Sequence, residues 1–221
     1  MTHSHEAGQA APIYITMVAG LLFLALAFFA VGQAGATRNS AQSGADAAAL
    51  AAAQETRDRF AEDLLANFFT PGFLEDVFNG EPVGPVLGCA AALRLADKNG
   101  MDVVTPDGCR GLNDGRWGIT VDVISQESMG QSILPDTEDK KAEATATAVI
   151  VPRCEFKPAE EDGKPEEEDP EPGGGGEDGG EEATPLPGEL RCDGRGLLDL
   201  DPENLVLPDM SVLFSVRLAE D

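Results

Sequence analysis

Histidine is almost absent from this chain of 221 residues. There are two, His3 and His5, and both lie in the first five positions. With none downstream, the Ser-His-Asp and Cys-His arrangements of nucleophilic catalysis have no base, and the Cys/His patterns of zinc sites have no imidazole. Cationic side chains are scarce as well, at 15 Lys and Arg against 40 Asp and Glu, a net charge of −25. Phosphate-backbone binding needs a basic face, so no nucleic-acid partner is expected. No CxxC, GxSxG, P-loop or dinucleotide fingerprint occurs. Neither an enzyme nor a cofactor is expected. "DLDPEN" (Asp199–Asn204) lacks the glycine and the later glutamate of a calcium loop, and reads as a polar turn.

Charge is also missing from one long stretch. Between Ala7 and Thr37 there is no charged residue, and Ile13–Val31 is dominated by Leu, Phe, Ala, Ile and Val. A hydrocarbon core ~30 Å thick needs ~20 apolar residues in a helix, and this segment supplies them. Pro12 suits a first helical turn and Tyr14 an interfacial position. A cleaved secretory signal is the competing reading, but the leader has no lysine or arginine and the apolar run exceeds a usual signal core. The expectation is a retained anchor.

Four cysteines, Cys89, Cys109, Cys154 and Cys192, all follow the anchor. An even count in a small domain favours disulfides and an oxidising compartment, although Arg38 nominally favours an inside C-terminus. Three pairings are open, and sequence does not choose among them. The sequential one is the simplest. It would close loops of about 21 and about 39 residues, worth ~3 and ~4 kcal/mol in the chain-entropy model. The second loop would hold the ends of an acidic tract with 13 carboxylates and two lysines between Glu155 and Glu182. That tract is too rich in Glu, Gly and Pro to fold.

No proline interrupts Ile13–Thr70, and Ala45–Arg59 is dense in helix formers. Phe60, Leu64, Leu65 and Phe68 then recur at helical spacing. A helix of ~55 residues, ~80 Å long, follows, with "TPG" (Thr70–Gly72) as its stop. A second helix fits Val86–Lys98, ended by Asn99-Gly100. Afterwards the period falls to two. Ile119, Val121 and Val123 make one strand, Glu143–Val151 another, and Val212, Phe214, Val216 and Leu218 a third, with Leu213 breaking its polar side. Met101–Thr105 would add a fourth.

The expected fold is therefore α+β: a long N-terminal helix, a second short helix and a small antiparallel sheet, with a disordered acidic insertion. Residues 1–11 would be a short cytoplasmic N-terminus, 12–35 the transmembrane helix and 36–70 its extracytoplasmic extension. Residues 71–154 and 192–221 would form the extracytoplasmic head, and 155–191 the acidic loop. Gly32, Ala36, Ser40, Gly44, Ala48 and Ala52 fall every fourth position, a small-xxx-small row suited to close helix contacts. The row is weak evidence by itself, since 17 of the 25 residues Gly32–Thr56 are Gly, Ala, Ser or Thr. An alanine-rich spacer helix gives the same pattern. Asp46 interrupts the stripe as a solvent-facing acid or a helix-pairing contact.

Order is more specific than spacing. A glycine before an anchor (Gly8), an arginine after it (Arg38), then Gln42 and "ADAAALA" (Ala45–Ala51) resembles the N-terminal region of the TadE/TadG-like proteins of the Flp (tight adherence) pilus system. The resemblance covers Gly8–Ala53. It implies a membrane-anchored, pilin-like assembly component whose helix packs against other pilus subunits, and it supplies no catalytic residues. Pseudopilin members carry a glutamate five residues after the cleavage-site glycine; counting from Gly8, that position is Ile13. The chain thus resembles the TadG side, which keeps its anchor, and Gly8 is a doubtful processing site. The competing function is an anchored extracytoplasmic binding module whose acidic loop recruits cations or a basic partner.

Overall fold

A computed structural model describes residues 10–78, 88–128, 139–158, 188–193, 196–198 and 207–220. Helix α1 (Ala10–Ala66) is continuous over 57 residues. It ends before Thr70 because the last turn tightens: the Phe68 and Thr70 amides donate to the Leu65 and Asn67 carbonyls, three residues back. Gly72, at φ 79°, then redirects the chain into α2 (Phe73–Phe78), a helix not expected from the sequence. Its spacing was nonetheless readable, since Leu74, Val77 and Phe78 are its buried residues.

Helix α3 (Cys89–Lys98) closes on Asn99, and Gly100, at φ 70°, takes the left-handed position that follows. Among the described residues eight strands follow: β1 (Met101–Val103), β2 (Cys109–Gly111), β3 (Gly118–Ser128), β4 (Lys141–Pro152), β5 (Cys154–Lys157), β6 (Glu189–Cys192), β7 (Gly196–Leu198) and β8 (Phe214–Leu218). All pairings among the described residues are antiparallel. The main sheet runs β1-β3-β4-β8, with β2 also on β3, and β5-β6-β7 form a second sheet. One small sheet was expected; the second went unseen because strands of three or four residues carry too little periodicity. The last expected strand also begins later. Met210–Leu213 form a short helix, α4, so the buried Leu213 belongs to that turn and does not break the alternation of β8.

The main sheet has two unlike faces. Ile119, Val121 and Val123 of β3 stand opposite Ala148, Ala146 and Ala144 of β4, on the side that α1 covers. The intervening residues are polar. Thr120 and Thr147 share a hydroxyl hydrogen bond of 2.9 Å, and Asp122 accepts from Thr145 Oγ1 at 2.8 Å and from Arg110. Burial of the Asp122 carboxyl opposes its ionisation, but the bonds from Arg110 and Thr145 outweigh that and hold its pKa below the usual value.

Cysteine pairing is sequential. Cys89 bonds to Cys109, tying α3 to β2, and Cys154 bonds to Cys192, directly opposite it across β5 and β6. The unfolded insertion expected over 155–191 is therefore too wide at both ends. Glu155–Lys157 and Glu189–Arg191 pair as strands, held by the disulfide and by Leu190, which is buried, with Phe156 packed beside it. Residues 159–187, the bulk of the acidic tract, lie outside the described residues, as do Asp199–Asn204.

Candidate functional site: the long helix and its junction with the head

Helix α1 changes environment along its length. From Ala11 to Ser40 nearly every described residue is exposed, including Ile13, Phe23, Phe28 (75 %), Phe29 and Val31. This is a helix long and apolar enough to cross a membrane, and none of its most apolar window is buried against the protein. From Ala41 onward the same helix enters the core. Ala41, Ala45, Ala48, Ala49, Ala52 and Ala53 are all at 0 % exposure, and Phe60 and Leu64 continue the buried face.

The small-residue row divides at that point. Gly32, Ala36 and Ser40 are exposed. Gly44, Ala48 and Ala52 are buried under the protein's own head. A Cβ built on Gly44 would lie 2.5 Å from Met101 Cγ. Gly88, just before α3, sits against the helix backbone, and a Cβ there would lie 1.8 Å from the Ala52 carbonyl oxygen. Ala91, Ala92 and Ala96 of α3 are buried on the same side. The alanines of α1 thus meet the alanines of β4 and α3, and small side chains on all three elements let their backbones approach. A chain of larger residues has no room here. For the distal half of the stripe, the structure supplies a partner within the chain.

The residues flanking the stripe have specific contacts. Gln42 Nε2 donates to Asp46 Oδ1 at 2.9 Å and to the Thr145 carbonyl at 3.3 Å. Asp46, half-buried, therefore orients a glutamine that fastens α1 to β4. Sequence reasoning did not link Gln42 to Thr145, because 103 residues separate them. Beside this clasp lies an open groove of about 540 Å³, lined by Gly35, Arg38, Asn39 and Gln42 of α1 and Glu143, Ala144 and Thr145 of β4. Further out, Glu55 holds Arg59 (2.8 Å) and Arg94 (2.7 Å), an exposed bridge between α1 and α3, of a kind worth ~0–1 kcal/mol per pair.

Among the described residues no group of three or more His, Cys, Asp or Glu side chains is gathered as metal ligands would be. Gly8 lies outside the described residues. The long helix and its junction with the head are thus where the sequence-level candidates converge. No curated protein and no solved structure matches the chain. Residues 8–55, which span the exposed apolar helix and the alanine stripe, match a family model described as "Putative Flp pilus-assembly TadE/G-like".

Proposed function

We propose that this protein is a single-pass membrane component of Flp pilus assembly, of the TadG kind, that stands on α1 with its head outside the cytoplasm. The observation that carries the reading is a coincidence of extent. The pilus-assembly family match, residues 8–55, includes the whole stretch of α1 that the head leaves uncovered. Residues 12–35 act as the anchor. Gly32, Ala36 and Ser40, beyond its apolar centre and outside the head, are the contact row for helices of other pilus components. Residues 41–66, the elements after them and both disulfides form the head.

The two disulfides support the orientation, since such bonds persist in oxidising compartments. A reporter active only outside the cytoplasm, fused after Asp221, is expected to work; activity of a cytoplasmic reporter alone would reverse the topology. Processing is tested separately. Ile13 occupies the position where pseudopilins carry glutamate, so the mature N-terminus is expected upstream of Gln9. Intact-mass analysis showing a chain that begins at Gln9 would move the protein to the pseudopilin side.

The central test compares the exposed helix row with the acidic segment. Leucine at Gly32 or Ala36 keeps helix propensity, adds bulk where no residue of the head packs, and should lower recovery of other pilus components roughly tenfold, the loss of one good helix contact. Deleting Ala159–Pro187 should leave recovery near normal. Lys157 and Glu189 are already paired across β5 and β6, so a short Gly-Ser linker put in place of the deleted residues closes the gap. The opposite pattern, a tolerant helix and an essential acidic segment, would favour an anchored binding module that recruits cations or a basic partner.

A further inference from the structure

Arg38 is a cation without an anion. It is the one charged residue between Glu6 and Asp46, it is exposed, and it lines the open groove between α1 and β4. Arg57, Arg59, Arg94, Arg110 and Arg116 each pair with a carboxylate of their own chain. Arg38 has no such partner among the described residues.

The fold itself withholds the anion. The register that turns Ala142, Ala144, Ala146 and Ala148 of β4 toward α1 turns the Glu143 side chain to the opposite face, with Thr145 and Thr147. On that face the two threonine hydroxyls bond to Asp122 and Thr120. The next acid along α1 is Asp46, and its Oδ1 accepts from Gln42. Beside Arg38, the Asn39 side-chain amide makes no hydrogen bond among the described residues. This wall of the groove therefore offers donors, a guanidinium and an amide, and no carboxylate to receive them.

The course of the helix shows where an anion would come from. Gly32, Gly35, Asn39 and Gln42 follow one another at three, four and three residues, so they share one face of α1. Gly32 belongs to the row assigned above to contact with another helix, and a Cβ on Gly32 or Gly35 would meet nothing within 4 Å. A neighbouring helix seated at Gly32 thus runs past Gly35 and into the groove, within reach of the Arg38 side chain. A second copy held level with the first brings no acid, because its own α1 has none between Glu6 and Asp46. The anion belongs to a different polypeptide.

We propose that Arg38 pairs with an aspartate or glutamate side chain on a helix of another pilus component, an inference that rests on the pilus-assembly reading of α1. The guanidinium donates two parallel N–H bonds to the carboxylate oxygens, and the Asn39 amide donates beside them. The small residues permit a helix to come close but do not choose it. Arg38 makes the choice, since a helix with no acid at that level leaves the cation unpaired in the contact.

The test uses the full chain in the membranes of its own cells. Arg38→Lys keeps the cation and adds a primary amine. A water-soluble carbodiimide activates a carboxylate in contact with that amine; an amide forms, and the carboxyl oxygen leaves on the urea. Mass spectrometry of the coupled peptides should show position 38 joined to an aspartate or glutamate of another polypeptide. The wild type should give no such product, because a guanidinium does not couple. Arg38→Glu should lower recovery of other pilus components roughly tenfold, the scale of one charge-assisted bond, and Arg38→Lys should lower it less. Emission from Trp117, the one tryptophan and a core residue, should be unchanged in both. Coupling only to Asp46 or Glu143 of the same chain, coupling to a second copy, or no coupling at all would overturn the pairing. Undiminished recovery in Arg38→Glu would do the same. Lost recovery in Arg38→Glu with no coupled carboxylate would assign the cation to a lipid phosphate, against the proposal. Failure of the underlying reading has a different mark, since Gly32→Leu and Ala36→Leu would then leave recovery normal. If those two lower recovery and Arg38→Glu does not, the pairing alone fails.

Discussion

Replacing Phe214 by alanine is expected to unfold the head at temperatures the native protein tolerates. Phe214 is at 0 % exposure and is the hub of the distal core. Its ring stacks on Phe78 (5.5 Å, 8°) and meets Trp117 (5.5 Å, 87°) and Phe60 (6.1 Å, 80°) edge-on. These partners come from α2, the residue just before β3, and α1, so the ring joins three parts of the head to β8. Phe→Ala in a core costs ~3–5 kcal/mol, a large part of a total stability of ~5–15 kcal/mol. At ~2–4 °C per kcal/mol for a head of this size, the midpoint should fall by about 10 °C or more. Trp117 packs on the deleted ring, so its fluorescence reports the loss directly. A midpoint within a degree or two of the native one would show that the distal aromatics are not the keystone of the head.

Adding one methyl group at Gly88 should be nearly as damaging, for the opposite reason. Gly88 has φ −91°, a conformation any residue adopts, so backbone freedom is not what requires glycine here. Space is. The new Cβ would meet the Ala52 carbonyl oxygen at 1.8 Å and the Ala52 carbonyl carbon at 2.5 Å. Both are backbone atoms of an unbroken helix, which cannot turn aside as a side chain does. Helix α3 must move off α1, and its buried Ala91, Ala92 and Ala96 lose their contacts. Overpacking of this kind costs ~1–3 kcal/mol and sometimes more. It also shifts Cys89, the next residue, away from Cys109. The expected readouts are a lowered denaturation midpoint and a fraction of chains with free thiols after non-reducing alkylation. Ala36→Leu, on the exposed part of the same helix, is the control and should change neither. A Gly88→Ala protein with native stability and no free thiols would refute the close contact between α1 and α3.

The same contrast limits what substitutions in the alanine stripe report. Leucine at Gly44 or Ala48 disturbs the head itself, since Gly44 abuts Met101 and Ala48 is wholly buried. Loss of pilus components in those variants would not measure contacts with other subunits. Only the exposed row, Gly32, Ala36 and Ser40, can do so.

Local pattern determined a large share of this protein. An uncharged apolar run, unbroken by proline, specifies a long helix because each residue's preference agrees with its neighbours'. The Asn99-Gly100 stop and the alternation in β3 and β4 were readable for the same reason: helical and extended periods are written in adjacent residues. What only the tertiary structure decided is what those elements face. An alanine stripe reads the same whether it packs on another subunit or on its own chain, because smallness encodes close approach and leaves the partner unspecified. The burial of Ala48 and Ala52, the glycine required opposite Ala52, and the reach of Gln42 to Thr145 all depend on contacts between distant segments. Such contacts carry no period. The short strands β2, β5, β6 and β7 exist for a similar reason, since each is held by a neighbour or a disulfide where its own few residues would not suffice.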